Sequence, residues 1–488
     1  MSVTSTVKSA LGTGATAVSR DTLLLLASVP PLRYLAVRTS GAVIRYRQGR
    51  ARTDPARIAG VVDDQKAMGL ALLHMIERGL QGPLAPAVRR AIVCNLLQGI
   101  LLKKGRRAVV NRFRAEHNDG PPGLLVISPG KACNLHCTGC YADSGTSNEK
   151  LEWGTFDRIV DEALTQWGAR FFVISGGEPL AYRSEGKGLL EIAEKYPQCY
   201  FLMYTNGTLI DDAMAKRLAA VGNVTPAISV EGWRERTDAR RGAGVFDQVL
   251  ATMARLRMAG VPFGISLTAT RENAEEILSD EFLNYFFETQ GALYGWLFQY
   301  MPIGRSFTLE LMPTPEQRVW MWHRTWEIIR ERRLFLPDFW NSATASFGCI
   351  AAGRANGGGY LYIDWNGAVS PCVFVPYSPV NIREIYAQGK TLNDVWAEPF
   401  FSDIRQWQAG YADAKGNWLS PCINRDHHSD LCRLIATHEP EPMDANAREA
   451  LLDPNYAAGL ATYDATYGEL SQEIWDSAYL RPDGSGSS

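Results

Sequence analysis

The chain has 488 residues, 46% of them hydrophobic, with 44 Gly and 25 Pro. That composition supplies cores for two or three domains and excludes a disordered or fibrous protein. The net charge of −2 conceals an asymmetry, because residues 1–114 carry 19 Lys and Arg against 5 Asp and Glu, and the remainder 31 against 47. A basic N-terminal part on an acidic body predicts an anionic partner for that part.

No run is long and apolar enough to cross a bilayer. The best stretch begins at Thr22 and is broken by Pro30, Pro31 and Arg33. Its leading region is too long for a signal peptide and no small-residue cleavage site follows, so the expected location is the cytoplasm. Residues 1–118 read as helical, with apolar spacing in Val61–Leu80 and Val88–Leu102. Arg45, Arg47, Arg50 and Arg52 follow the first greasy region, and Lys103, Lys104, Arg106 and Arg107 the last. Apolar faces flanked by Arg and Lys predict peripheral attachment to an anionic membrane surface on its inner face. A helical domain packed on the body with a solvated basic face is the competing reading. No nucleic-acid partner is expected.

From Gly123 strands and helices alternate. Strands are predicted at Leu124–Ser128, Phe171–Ser175, Tyr200–Thr205, Pro226–Val230, Phe263–Thr268 and Tyr294–Tyr300. Helices are predicted at Phe156–Trp167, Asp211–Val221, Phe246–Met258 and Ala274–Thr289. The fold class is therefore α/β, a partial (β/α)6 TIM-like barrel with functional residues at the carboxyl ends of its strands.

The loop after the first strand reads Lys131-Ala-Cys-Asn-Leu-His-Cys-Thr-Gly-Cys-Tyr141, a C-x3-C-x2-C cluster of Cys133, Cys137 and Cys140. Three thiolates so close together can hold three irons of a [4Fe–4S] cube and leave the fourth open. An open metal position is where a substrate or cosubstrate binds. A zinc site would need a fourth ligand, and His136, inside the cluster, is awkwardly placed to complete a tetrahedron. A disulfide framework does not suit a long chain with nine cysteines.

The motif resembles the signature of the radical S-adenosylmethionine (SAM) enzymes. The resemblance implies that the open iron chelates the amino and carboxylate groups of SAM. It further implies reductive cleavage to a 5′-deoxyadenosyl radical that abstracts hydrogen from a substrate, with an external one-electron donor of flavodoxin or ferredoxin type. Along the barrel, Gly176-Gly-Glu-Pro179 resembles the family's GGEP segment, whose backbone holds the SAM ammonium. Thr205 and Asn206 end the third strand. Ser229 and Glu231 resemble the S-x-D-G segment near the ribose and methionyl ends, with Glu in place of the usual Asp. Arg241, in a stretch similar to D-x-x-R-G-x-x-x-F, is expected to bind a carboxylate of SAM or substrate in bidentate fashion. A surface arginine at a helix start is the competing reading. Gly304 belongs to a P-x-G-R turn that borders the adenine in many relatives. Gly139 stands where relatives commonly have an aromatic, and Tyr141 follows the third cysteine instead.

Further on, Gly348-Cys-Ile-Ala-Ala-Gly353 and Tyr362-Ile-Asp-Trp-Asn-Gly-Ala-Val-Ser-Pro-Cys372 resemble the start of a SPASM domain, which carries auxiliary iron–sulfur clusters. Cys349, Cys372, Cys422 and Cys432 suffice for one fully ligated [4Fe–4S] cluster in a shortened, twitch-like domain. A zinc site of the same four thiols is the competing reading, and His427 or His428 could replace Cys432. Cys94 and Cys199 read as buried small hydrophobes. The expected domains are 1–118 (helical, basic), 119–307 (barrel), 308–345 (helical linker), 346–440 (auxiliary cluster) and 441–488 (acidic tail, partly helical through Leu480). Gln299, Tyr300, Glu310, Asp364 and Trp365 could face a cavity, and none is assigned as a catalytic group. Asp364-Trp-Asn-Gly367 predicts a hairpin turn. Three functions are open: hydrogen abstraction from a lipid or membrane-associated substrate, maturation of a peptide, and a zinc-stabilised protein that only binds.

Overall fold

A computed structural model describes residues 20–54, 57–101, 106–414 and 416–480. Lys103 and Lys104 of the basic run and the Gly-Ser end at 481–488 lie outside the described residues.

Six parallel strands run in sequence order: β1 (Leu124–Ile127), β2 (Phe171–Ile174), β3 (Tyr200–Thr205), β4 (Val224–Val230), β5 (Gly264–Ala269) and β6 (Tyr294–Gln299). Helices connect them across one face, as a parallel sheet requires. Register places Val126 opposite Val173, Val173 opposite Leu202, and Thr268 opposite Phe298. Because side chains alternate along a strand, Leu125, Phe172, Phe201 and Ile265 turn outward and are fully buried under the helices. Their neighbours Val126, Val173, Leu202 and Phe298 turn inward and line a cavity. The predicted strands are present with ends shifted by a residue or two. The helix expected over Ala274–Thr289 is instead three pieces, Ala274–Ile277, Asp280–Leu283 and Asn284–Thr289. The Ser279 side chain accepts from Phe282 N at 3.2 Å and restarts the helix there.

Both edges of the six-stranded sheet are occupied, which an open barrel needs. On the β6 side Gly295 N donates to Phe335 O (2.8 Å) and Leu297 N to Pro337 O (3.0 Å). On the β1 side β7 (Tyr360–Ile363) pairs in parallel, and β8 (Ala368–Ser370) pairs antiparallel with β7. The turn between them is the expected hairpin, with Asn366 N and Ala368 N donating to the Asp364 carboxylate. After β9 (Tyr377–Ser378), β10 (Val380–Asn381) completes a nine-stranded sheet. The auxiliary region thus continues the barrel sheet.

Among the described residues the N-terminal part forms α1 (Arg20–Ser28), α2 (Pro30–Arg52) and α3 (Ala59–Gln81), then helical turns over Pro86–Leu101 and Arg107–His117, while residues 1–19 and 102–105 of the expected helical domain lie outside the described residues. It packs on the body. Asp64 of α3 is fully buried and accepts from Thr344 Oγ1 (2.6 Å), Tyr479 Oη (2.7 Å) and Arg330. Burial raises the Asp64 pKa above the ordinary carboxylate value. The C-terminal helix Pro454–Ile474 is equally integral, since Tyr467, Trp475 and Tyr479 on it and just beyond it are buried. Among the described residues no helix is long and apolar enough to cross a membrane.

Candidate active site

The cysteine loop leaves the end of β1 and is held from three sides. The backbone N–H groups of Gly177 and Glu178, after β2, donate to Gly130 O (3.0 Å) and Ala132 O (2.9 Å). That approach is so close that a Cβ on Gly177 would lie 2.2 Å from Ala132 O, which explains the glycine. Thr138 N donates to Arg240 O (3.0 Å) after β4. Arg305, after β6, donates its guanidinium to Cys137 O, Ser144 O and the Asp143 carboxylate, while its backbone N donates to Cys140 O (2.9 Å).

Cys133, Cys137 and Cys140 open into one cavity of about 430 Å³, into which Gly176, Gly177, Thr205, Asn206, Ser229 and Arg241 also reach. Sequence-predicted residues from four strand ends are thus brought together. Glu178, Pro179, Glu231 and Gly304 stand behind this wall. The buried Glu178 carboxylate accepts from Thr205 Oγ1 (2.7 Å), Asn206 N (2.9 Å) and Leu180 N (3.1 Å), tying β2 to β3. Glu231 is buried and ion-paired with both Arg240 and Arg241. Its longer side chain therefore serves to aim two guanidinium groups at the cavity. Gly304 abuts the backbone of Tyr141.

The electrostatics suit a cluster. Burial pushes the Cys133 thiol up to about 11 and raises Cys137 too, although Arg241 pulls Cys137 the other way. Thiols in such a setting ionise when a metal centre supplies positive charge. Asn206 Nδ2 lies 3.8 Å from Cys133 Sγ and donates to it, and Leu135 N donates to the same sulfur at 3.4 Å. Arg241 is held charged, since the Glu231 carboxylate outweighs the cost of its burial. The donor set, three thiols beside cationic groups that can meet a carboxylate, fits a cluster with one open iron and a SAM bound to it.

Three features escaped the sequence reading. Gly139 has φ +62°, and a Cβ there would meet the Tyr300 ring at 2.7 Å. Tyr300, from the end of β6, therefore occupies the place of the missing aromatic. Arg240, adjacent to the predicted Arg241, shares its carboxylate and also lines the cavity. Arg305 had a signal in the P-x-G-R turn, but only the fold reveals that it braces the cysteine loop. Among the unassigned residues, Gln299 and Tyr300 line the cavity, Glu310 is exposed, and Asp364 and Trp365 are buried outside it. Asp338, fully buried in the cavity wall, accepts from Gln299 Nε2 at 2.8 Å.

The second centre lies beyond β7. Cys349, Cys372 and Cys422 are close enough to raise one another's pKa, and burial does most of it, taking Cys349 to about 12. Tyr360 Oη lies 2.8 Å from Cys372 Sγ, and Phe374 N donates to the same sulfur at 3.4 Å. Cys432 stands on the helix His428–His438, its Sγ 3.4 Å from His428 Nε2. His427 Nε2 instead meets Ser420 O at 2.9 Å. One buried and two partly buried thiols with N–H and O–H donors around them fit an iron–sulfur cluster, and Cys432 and His428 stand together on the helix that follows. Cys199 is buried in the barrel core, and Cys94 packs partly buried beside an N-terminal core.

A half-open barrel with a three-thiol loop at its rim and a second thiol group beside it defines a class of iron–sulfur enzymes that bind a cosubstrate at an open iron. Comparison with known proteins agrees. Residues 127–281 match the radical SAM superfamily, and residues 355–424 match the SPASM iron–sulfur cluster-binding domain. The chain is 30% identical over 304 residues to the mycofactocin maturase MftC of Mycolicibacterium smegmatis, covering 60% of this chain and 74% of that protein. It is 28% identical over 289 residues to the AdoMet-dependent heme synthase of Methanosarcina barkeri, covering 54% and 80%. Among solved structures, SuiB of Streptococcus suis bound to its precursor peptide SuiA superimposes with a TM-score of 0.50 at 19% identity, covering 62% of this chain and 71% of that one.

The chain belongs to the radical SAM superfamily and carries a SPASM domain. It is an enzyme whose cofactors are a [4Fe–4S] cluster with SAM and auxiliary iron–sulfur chemistry, and it draws on an external one-electron donor. The SPASM match begins after Cys349 and ends before Cys432.

Proposed function

We propose that this enzyme abstracts hydrogen from a carbon of an apolar, lipid-type substrate held inside the barrel, and that it works at an anionic membrane surface. When bound and reduced, SAM at the cluster supplies a 5′-deoxyadenosyl radical as the hydrogen acceptor. The residues assigned to holding them are Cys133, Cys137 and Cys140 for the cluster, and Arg240, Arg241, Ser229 and Asn206 for the SAM around it. Cys349, Cys372, Cys422 and Cys432 are assigned to the auxiliary cluster.

The observation that carries the substrate reading is the wall of the cavity below the thiols. It is built mainly from Val126, Val173, Leu202, Phe298 and Phe339, with Gln299 and Asp338 as a polar spot and the small hydroxyls of Ser266 and Thr268 on β5. Apolar pockets with few placed polar groups select apolar ligands. The membrane reading is supported by the outer side of α2, where Tyr34 and Tyr46 are exposed next to Arg38, Arg45 and Arg50. Aromatic and arginine side chains together favour an anionic interface.

The second reading is peptide maturation, favoured by the 30% identity to mycofactocin maturases. Anaerobically reconstituted enzyme under strong reductant should release more 5′-deoxyadenosine when given lipid extract from its own cells. Stimulation by a peptide fraction and not by lipid would replace the first reading with the second. Flotation with anionic vesicles at low salt tests attachment, and absence of binding would remove it.

A further inference from the structure

In a closed eight-stranded barrel, inward side chains fill the centre. Here six strands leave it hollow, and the cavity that begins at the cysteine loop continues down the strands toward their amino ends. On β2 it runs from Ser175 back to Phe171, and on β6 from Tyr300 back to Trp296. Four residue steps on each strand amount to roughly 13 Å of depth. At the far end the lining comes from outside the barrel: Met68 of α3, Phe335 from the segment along β6, and Ala345. Met68, Phe335 and Ala345 also belong to the apolar cluster that joins α3 to Trp322 and Trp326.

Buried hydrogen bonds fix the position of α3. The buried Asp64, one turn before Met68, is bonded by Arg330, Thr344 and Tyr479. The helix therefore cannot slide without breaking a buried carboxylate's hydrogen bonds, which are costly to leave unmade.

The geometry points to Met68 as the floor of the substrate site, and to a single unfunctionalised hydrocarbon chain, acyl or isoprenoid, as the occupant of the lower barrel. This rests on the lipid-type reading above and adds where the chain ends and what sets its length. The polar chemistry of the lower cavity decides against a peptide there. The strand backbones are committed to their ladders. The nearby hydroxyls are few: Ser346 Oγ donates to Ala343 O and Gly348 O, Ser342 Oγ accepts from Asp338 N, and Ser266 lies level with Trp296. A peptide threaded there would bury an N–H and a C=O per residue, more than these few hydroxyls can satisfy. A hydrocarbon chain brings no such groups.

The test uses the full chain with its clusters reconstituted, and reads displacement of a fluorescent acyl probe by a homologous series of saturated fatty acids. Affinity should rise about fourfold for each further buried methylene, then stop rising once the chain meets the floor. Met68→Ala should move that plateau to longer chains, and Met68→Trp to shorter ones. Opposite shifts in the two variants separate a floor from general destabilisation, which would weaken all chain lengths alike. A plateau unmoved in both variants overturns the assignment of Met68 while leaving the lipid-type substrate intact. A wild-type protein that binds no member of the series overturns both.

Discussion

The two cysteine centres are built from the same residue type and are opposites in setting. Cys133, Cys137 and Cys140 sit on a loop that faces a large cavity, with Arg240 and Arg241 beside them. The auxiliary thiols of Cys349, Cys372 and Cys422 sit behind β7, among buried groups that include the Arg318–Asp426 pair, both members fully buried. One centre has room for a cosubstrate and cations to meet its carboxylate. The other is enclosed by structural ion pairs and suits electron exchange through contact. Thiol count alone does not distinguish the roles; what stands around the thiols does.

The largest effect should come from the thiols themselves. Cys133→Ala should drop iron content by about four per chain and take 5′-deoxyadenosine release to the detection limit, with the auxiliary cluster retained. Cys372→Ala should instead remove the auxiliary cluster's signal and leave SAM cleavage measurable. If both variants lose both clusters, the two centres are one cooperative unit and the contrast fails.

The next effect concerns the enclosure. Arg318 donates to both oxygens of Asp426, at 2.5 and 3.0 Å, and stacks on the Tyr467 ring. Arg318→Met would leave Asp426 with Arg425 and the Cys422 N–H, and should cost about 3–5 kcal/mol in chemical denaturation. Burial works against the Asp426 charge, but Arg318 and Arg425 outweigh it and hold the folded pKa below the ordinary value. This contribution is complete above the unfolded carboxylate's pKa of about 3.9 and falls away as acid takes the pH below it. The variant should therefore lose its deficit relative to wild type only in strong acid.

Arg305 offers the corresponding test on the open centre. Lysine keeps the charge but cannot serve Cys137 O, Ser144 O and Asp143 together. At about 1.5–3 kcal/mol for each charge-assisted bond lost, Arg305→Lys should loosen the loop. The readout is poorer iron loading at the first centre, with unchanged loading at the second.

Much of this was legible in the chain. The strand–helix alternation and the thiol spacing are short-range signals, and the barrel and the first centre followed from them. The bracing role of Arg305 was not legible, because its three acceptors lie more than 160 residues away along the chain. Tyr300 was legible as a cavity candidate but its packing on Gly139 was not, because the gap there is filled from a different strand. At position 231 the sequence showed Glu where relatives have Asp, which put a ribose contact in question, and in the fold that carboxylate pairs with two arginines. The apolar lumen was hidden for a subtler reason. Alternating strands predict an inward face, but only the number of strands and what closes their ends decide whether that face is packed or hollow.

The smallest effect is a gain, and it contrasts Asp426, bonded to two arginines, with a buried carboxylate held by backbone N–H groups. Asp364 sits at the turn between β7 and β8, and burial raises its pKa to about 6, more than its two N–H donors and Arg383 lower it. A folded pKa above the unfolded value of about 3.9 means the native state binds the proton more tightly. The carboxylate therefore weakens the fold progressively from about pH 4 to about pH 6 and by a constant amount above that. Asp364→Asn keeps an oxygen to accept from Asn366 N and Ala368 N and removes the buried charge. It should stabilise the protein by about 2–3 kcal/mol at pH 7, and the advantage should vanish near pH 4. A stabilisation that persists unchanged into acid would mean the gain comes from repacking, and the hairpin would then carry no electrostatic strain.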